Sequence, residues 1–317
     1  MAKFTEKIKL LVVAGPTASG KTSVAIDIAK RFGGELINAD SRQIYKYMDI
    51  GTNKGVIEPI DDQLRIEYQG YDIENSGVVA WGFDLVKPGQ GYTLSDYKRF
   101  ADKLITDINS DGKVPILVGG TGLYIDAVIN NYTINTPPDL TTRSKYSEMP
   151  VEQLKTIAKK ANPETYNKLN NSDVNNPRRL IRIIEGRKAP KREDSKFEVF
   201  FIYPKYDKDE LYATINQRVD RLIDLGLQTE VQWLMENGYA ETEQINGLGY
   251  KQMVEYMNGD ISYTEMIEKL KQSHRNYAKR QAVWFEGDGR NYKLNYYVFN
   301  AEIDKICSDI SNFLNGR

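Results

Sequence analysis

Residues 15 to 22 read Gly15-Pro16-Thr17-Ala18-Ser19-Gly20-Lys21-Thr22, and this stretch decides the predicted fold. It fits the pattern G-x-x-x-x-G-K-[ST], in which two glycines allow a tight turn whose backbone N–H groups surround a phosphate. The lysine supplies a charge for the outer phosphate, and the threonine hydroxyl after it can reach a Mg²⁺ ion. The stretch therefore predicts a binding loop for a polyphosphate, without indicating which one.

The segments on either side of this loop predict a parallel α/β fold. Residues 8–14 form a short apolar run typical of a buried strand, and residues 23–32 carry apolar side chains at helical spacing. The loop should therefore lie at a helix N-terminus, where the helix dipole also favours anions. Further strands are expected at 35–39, 114–118, 197–203 and 292–299, alternating with helices. We predict a P-loop NTPase-like parallel sheet core with a helical C-terminal half.

A mostly helical domain is predicted as an insertion at residues 126–195. The chain becomes polar and proline-containing between Asp126 and Pro138, which is typical of a hinge, and then stays helical and basic to about Pro190. The catalytic core would comprise residues 1–125 and 196–317. Residues 55–93 are rich in glycine and charge with weak periodicity, so we expect them to be irregular or a small insertion.

Composition excludes several classes of protein. A chain of 317 residues with 40% apolar residues has room for two domains and a sizeable core. No apolar run approaches the length of a membrane span, and the first nine residues are too polar for a signal peptide. The single Cys307 excludes an internal disulfide framework and a Cys-rich zinc module. These features predict a cytoplasmic protein that does not interact with membranes.

Asp40, directly after the second predicted strand, is the first candidate for chemistry. At this end of a parallel sheet it should face the same crevice as Lys21 and Thr22. A carboxylate there could accept a proton from a nucleophile or hold Mg²⁺, but a helix N-cap or an Asx turn is an equal alternative. Thr17 leaves a similar choice, because its hydroxyl could reach a bridging phosphate oxygen or only stabilise the turn.

A second glycine-rich turn follows the predicted strand at 114–118. It reads Gly119-Gly120-Thr121-Gly122. Such a turn permits close approach of the backbone to a ligand, although an ordinary tight turn is the usual explanation. The turn becomes more informative if it lies beside the first loop in the sheet.

Two clusters of cations predict a surface that follows a nucleic-acid backbone. The first cluster comprises Arg178, Arg179, Arg182, Arg187, Lys188, Lys191 and Arg192; the second comprises Lys269, Lys271, His274, Arg275, Lys279 and Arg280. A solvated helix face is the alternative for each cluster. The only histidine, His274, is expected to contact phosphate or to lie on the surface, because no Cys or Asp at triad spacing accompanies it.

Taken in order along the chain, these motifs resemble those of the bacterial tRNA dimethylallyltransferases, also called tRNA isopentenyltransferases. The similar stretches are residues 15–22, 40–45, 48–52, 119–124, 176–182, 215–220, 249–251 and 277–281. One stretch departs from the family. The family usually has a His-containing segment ending in Leu-Ile-Asp, whereas residues 80–85 here read Ala-Trp-Gly-Phe-Asp-Leu, with extra residues upstream. The contribution of that histidine must be absent or replaced.

The resemblance implies that the phosphate loop holds the diphosphate of dimethylallyl diphosphate and that Thr22 helps to bind Mg²⁺. The acceptor would be the exocyclic N6 amine of the adenine on the 3′ side of the anticodon in tRNA, flipped out of its stack. Asp40 would accept the proton of this amine. Thr17, Lys21 and Mg²⁺ would stabilise the departing diphosphate, on which negative charge develops.

The resemblance also implies that residues from both halves of the chain contact the anticodon stem-loop of tRNA. These are Asp40, Ser41, Arg42, Gln43, Thr121, Arg143, Arg178, Arg179, Leu180, Ile181 and Arg182, to which the second basic cluster adds Lys279 and Arg280. A protein with a single groove of the size of tRNA would most simply be a monomer.

Three other functions share part of this pattern. A small-molecule P-loop kinase and an isopentenyltransferase acting on free adenine nucleotide would both use the phosphate loop, but neither needs two basic clusters. A nucleic-acid-binding module without enzymatic activity would explain the clusters, but not Asp40 and the second glycine turn beside the loop. Only the tRNA enzyme accounts for the phosphate loop, the two basic clusters, and the position of Asp40 and the second glycine turn beside the loop.

Overall fold

The fold is built on β1, a strand of seven residues whose last five are completely buried. The computed structural model describes residues 7–60, 67–134, 145–186, 191–287 and 292–316. Within this part of the chain the strands are β1 (Ile8–Ala14), β2 (Gly34–Asn38), β3 (Ile57–Ile60), β4 (Gly70–Ile73), β5 (Val79–Trp81), β6 (Val114–Gly119), β7 (Phe197–Pro204) and β8 (Leu294–Tyr297). They form one eight-stranded sheet in the order β3-β4-β5-β2-β6-β1-β7-β8. The chain is therefore a mixed α/β protein.

The six strands from β5 to β8 in this order run parallel, and the sequence predicts all of them except β5. β1 pairs with β6 on one side and β7 on the other, with Leu11 opposite Ile116 and Phe200. Strands buried on both faces read as continuous apolar runs, which is why these strands could be predicted. The carboxyl ends of β1, β2 and β6 therefore meet at one edge of the sheet.

The sequence predicts that residues 55–93 are irregular or a small insertion, and the first alternative is wrong. The described residues of this segment contain three short strands, and β3 and β4 extend the sheet in the antiparallel direction. Strands of three or four residues are too short to show an alternating pattern, so their pairing partners, not their own sequence, define them. β3 is the edge strand and contains Pro59, a residue that sheets tolerate at an edge.

Helices cover both faces of the sheet. Outside residues 130–194 the described helices are α1 (Lys21–Phe32), α2 (Leu94–Ser110), α3 (Gly122–Ile129), α8 (Lys208–Asp224), α9 (Leu227–Leu234), α10 (Lys251–Met257), α11 (Tyr263–Glu286) and α12 (Ile303–Leu314). Alternate residues of β1 point to opposite layers: Leu10 and Val12 pack with α2 and α3, whereas Leu11 and Val13 pack with α1 and α12. A third apolar cluster joins α8, α9, α10 and α11 to Met48. The helical backbone after α9 is interrupted at Asn237 and Gly238, and Gly238 is left-handed with φ of 89°.

The chain divides into two compact units, Met1–Ile129 with Ser195–Arg317, and Asn130–Asp194. The predicted boundary at residue 126 falls inside α3, because this apolar helix continues to Ile129. The helices of the second unit are α4 (Val151–Ala161), α5 (Pro163–Asn167), α6 (Asn171–Val174) and α7 (Pro177–Ile184). Its own small core contains Leu154, Ala158, Leu180, Ile181 and Ile183.

No helix in the described ranges combines the length and the apolar character that crossing a membrane requires.

Candidate active site

The phosphate loop connects the end of β1 to the start of α1. Gly20 occupies the N-cap position of α1 with a left-handed backbone, at φ of 83°. This conformation suits glycine and turns the following N–H groups of the helix towards the interior of the loop. Ala18 is also left-handed, with φ of 66°, although it carries a Cβ. Since such residues cost free energy, the surrounding structure must hold the loop in this shape.

Two cationic side chains contact the loop from within it and from α8. Lys21 Nζ donates a hydrogen bond of 2.5 Å to the carbonyl of Pro16, and Arg218 Nη1 donates one of 3.0 Å to Thr17 Oγ1. Desolvation of the Lys21 amine and the charge of Arg218 together lower its pKa to about 7, and the charge of Asp40 opposes this shift. Burial also lowers the pKa of Arg218. A bound polyanion would therefore favour the charged forms of both side chains.

Asp40 follows β2 and faces the same crevice. Its Oδ1 accepts a hydrogen bond of 2.9 Å from the Arg42 backbone N–H, so the predicted Asx turn is present. Desolvation raises the pKa of Asp40, while this hydrogen bond and the charges of Lys21 and Arg42 lower it. The turn and the role in proton transfer are therefore compatible, because the turn fixes a carboxylate whose raised pKa suits a proton acceptor.

The second glycine turn lies beside the phosphate loop, as the position of β6 next to β1 requires. Thr121 connects it to the turn of Asp40. The Thr121 N–H donates to the carbonyl of Ala39 at 3.0 Å, and Thr121 Oγ1 accepts from the Ser41 N–H at 2.9 Å. The predicted convergence of the two glycine turns and Asp40 is thus confirmed.

Three further residues of this crevice come from the C-terminal half and were not assigned a role from the sequence. They are Arg218 of α8 and Tyr277 and Gln281 of α11. Tyr277 is hydrogen-bonded to Thr121, and burial raises its pKa. Two features of the sequence could have indicated these residues. All three lie within the family-like stretches 215–220 and 277–281, and the four-residue spacing of Tyr277 and Gln281 puts them on one face of a helix.

Comparison with known proteins identifies the family of this chain. The model of the IPP transferase family matches residues 43–288. This chain belongs to the IPP transferase family. It is 36% identical to the tRNA dimethylallyltransferase of Staphylococcus haemolyticus, covering 97% of this chain and 92% of the relative, and 34% identical to that of Oceanobacillus iheyensis, covering 97% and 98%. The crystal structure of the tRNA isopentenylpyrophosphate transferase of Bacillus halodurans superimposes with a TM-score of 0.68 at 32% identity, covering 98% and 96% of the chains.

The structure of this family member corrects three expectations about its site residues. Leu180 and Ile181 are buried in the core of the second unit, because they lie on the inward face of α7, so their side chains are not available to tRNA. His274 lies on the inward face of α11, only 6% exposed, and not on the surface. Burial lowers its pKa to about 4, so it is neutral and cannot serve as a cation for phosphate.

The remaining predicted tRNA contacts differ in their surroundings. Arg178 and Arg179 are exposed on α7, and Arg182 is half-buried there. Lys279 and Arg280 are exposed on α11. Gln43 Nε2 donates to the carbonyls of Thr52 and Asn53 at 3.2 and 2.9 Å, so this side chain holds its own loop. The guanidinium of Arg42 packs against Gly247, where a Cβ would lie 2.0 Å from Nη1. Arg143 lies outside the described residues.

In residues 80–85, where the family histidine would be expected, Asp84 forms an ion pair with Lys54. Asp84 Oδ1 accepts a hydrogen bond of 2.5 Å from Lys54 Nζ, which also donates to Asp49 Oδ1 at 2.5 Å and to the Tyr45 carbonyl at 2.6 Å. The side chain of Lys54 is completely buried. Its three donors are all satisfied, so this ion pair network fixes the loop 45–54 against the end of β5.

Proposed function

We propose that this protein transfers the dimethylallyl group of dimethylallyl diphosphate to the N6 amine of the adenine on the 3′ side of the anticodon in tRNA. The observation that carries the proposal is the position of Asp40. Its carboxylate has a raised pKa and faces Lys21, in the crevice that the phosphate loop and Thr121 border. The names of the relatives, tRNA dimethylallyltransferases, support the same conclusion.

The phosphate loop is inferred to bind the diphosphate, as in a P-loop NTPase-like core. The backbone N–H groups at the start of α1 face the anion, and Lys21 and Arg218 supply positive charge. Thr17 would hold a bridging oxygen of the diphosphate, since Arg218 already fixes its hydroxyl. These groups are placed where negative charge develops as the C–O bond of the allylic carbon breaks, so they stabilise the transition state more than the substrate.

Asp40 is inferred to accept the proton that N6 loses. The lone pair of N6 forms the new C–N bond to the allylic carbon while the diphosphate leaves with the electrons of the old C–O bond. One N–H proton then passes to the Asp40 carboxylate. A base with a pKa nearer to neutrality than an ordinary aspartate accepts this proton more effectively.

Mg²⁺ fits this donor set. The Thr22 hydroxyl lies in the first turn of α1, beside Lys21. The described residues contain no cluster of three acidic, His or Cys side chains that would cage a metal. Magnesium is usually held by one or two protein oxygens together with substrate phosphates and water, so Thr22 and the diphosphate suffice. When bound, the ion would neutralise charge on the leaving group.

The tRNA is proposed to bind through two sets of exposed cations. On α11 these are Lys279 and Arg280, and on α7 they are Arg178 and Arg179 with the half-buried Arg182. Arginine and lysine on helix surfaces suit the phosphates of an RNA backbone. We further propose that the protein acts as a monomer in the cytoplasm.

The test is mass spectrometry of the nucleosides of unmodified tRNA after incubation with the protein, Mg²⁺ and dimethylallyl diphosphate. The expected product is an adenosine in which one dimethylallyl group replaces a hydrogen. It should be lost in Asp40→Asn and retained in Asp224→Asn, which neutralises an exposed carboxylate at the end of α8. Phosphorylation of a small molecule by ATP without this product would support a kinase instead, and prenylation of free adenine nucleotide but not of tRNA would exclude the proposed acceptor.

A further inference from the structure

Gln281 connects the two glycine turns of the active site. It lies on the inward face of α11 and is only 4% exposed. Its Oε1 accepts a hydrogen bond of 2.7 Å from the Thr17 backbone N–H, and its Nε2 donates one of 3.0 Å to the Gly120 carbonyl. One buried amide therefore bridges two backbone segments that are distant from it in sequence.

The two connected segments serve different halves of the reaction. Thr17 belongs to the loop proposed for the diphosphate, where Arg218 holds its hydroxyl. Gly120 precedes Thr121, which binds Ser41 and so fixes the turn that carries Asp40. The amide of Gln281 thus sets the spacing between the leaving group and the proton acceptor.

Gly120 has no side chain that would occupy the space of the Gln281 amide. A Cβ at residue 120 would lie 1.9 Å from Gln281 Nε2 and 3.0 Å from its Cδ, whereas the nearest other atom, the Gly15 carbonyl oxygen, would be 3.4 Å away. The amide of Gln281 is therefore the main obstacle to a side chain at this position. The side chain of Gln281 therefore occupies the space beside the second glycine turn that a side chain at residue 120 would need.

We propose that Gln281 is a positioning residue for the transfer reaction, which fixes the diphosphate loop against the turn of the general base. The inference rests on the proposed function. Gln281 acts through the backbone of Thr17 and Gly120 and touches neither reacting atom. Its removal should misplace the two halves of the site while leaving each able to bind its substrate.

The expected effect is a fall in kcat with little change in either KM. A displacement of about 1 Å between reacting groups costs on the order of 100-fold in rate, so Gln281→Met should lower kcat by roughly 10- to 100-fold. The KM values for tRNA and for dimethylallyl diphosphate should stay within about threefold, because the contacts of each substrate persist. A residue that only stabilises the fold would lower the melting temperature and the active fraction, but not kcat per folded molecule.

The first experiment measures steady-state kinetics and thermal unfolding of Gln281→Met beside Gln272→Met. Gln272 lies on the exposed side of the same helix, where it bonds Asn276 and Arg275, so it controls for replacing a helical glutamine by methionine. The control should keep the wild-type kcat. An unchanged kcat in Gln281→Met would overturn the proposal, and so would a loss confined to KM. Absence of product from the wild-type protein would instead refute the proposed function itself.

A double-mutant cycle tests the same inference without relying on one variant's folding. Gly120→Ala should displace the amide and lower kcat about as much as Gln281→Ala does. If the bridge is the cause, adding Gly120→Ala to Gln281→Ala should cost little more, because the space for the new methyl has been vacated. Additive losses in kcat would show that the two residues act independently and would overturn the proposal.

Discussion

The ionisation of Lys21 makes a quantitative prediction about ligand binding. The pKa of its amine is lowered to about 7 by desolvation and by Arg218. At about pH 8, roughly nine-tenths of the molecules would therefore carry a neutral Lys21, against roughly a tenth at about pH 6. A bound diphosphate places negative charge beside the amine and raises its pKa again. Binding should therefore take up about 0.9 proton at Lys21 at the higher pH and about 0.1 at the lower.

Isothermal titration calorimetry of dimethylallyl diphosphate in two buffers of different ionisation enthalpy measures this uptake directly. The ligand and Asp40 also titrate, so the quantity to compare is the difference between wild type and Lys21→Met, measured at ligand concentrations that saturate the weaker variant. The difference should be close to one proton at about pH 8 and small at about pH 6. The reasoning is refuted if the two proteins take up the same number of protons at both pH values.

Three further predictions concern other parts of the molecule. Asp40→Asn should lower kcat by roughly 10²- to 10⁴-fold while the dissociation constant for tRNA, measured by filter binding, changes little; an equal loss of both would exclude the role as a base. Arg178→Gln combined with Arg182→Gln should flatten the dependence of log K on log salt concentration for tRNA by about 1.4, and an unchanged slope would exclude this surface. Glu230→Gln should lower the free energy of unfolding, measured in urea, by about 2–3 kcal/mol. The reason is that the Glu230 carboxylate accepts hydrogen bonds from the backbone N–H groups of residues 49–51 and from the hydroxyl of Tyr250. A loss below about 0.5 kcal/mol would contradict this prediction.

The phosphate loop could be predicted because its chemistry is local. Eight consecutive residues define the turn, so its glycines, lysine and threonine can be recognised in the sequence without knowledge of the distant contacts that hold the loop. The flanking β1 and α1 were predictable for the same reason, since continuous apolar runs and helical spacing are properties of short segments. Asp40 could be placed in the same crevice because the ends of parallel strands meet at one edge of the sheet.

The burial of individual side chains could not be predicted from the basic clusters. His274 belongs to a cluster of cations in the sequence, yet the inward face of α11 places it in the interior. Leu180 and Ile181 lie between arginines, but they supply the apolar stripe that holds α7 in its unit. Successive side chains of a helix point in different directions around its axis, so the composition of a segment does not reveal which of them face solvent.

The sequence by itself predicted the loop at residues 15–22, the parallel direction of the main strands and the family. Only the tertiary structure decided which distant side chains complete the site. Arg218 reaches Thr17 across 201 positions of the chain, and Gln281 reaches it across 264. The antiparallel strands β3 and β4 likewise depend on partners outside their own few residues. Local patterns record the preferences of neighbouring residues, whereas these contacts arise only when packing of the sheet and helices brings remote segments together.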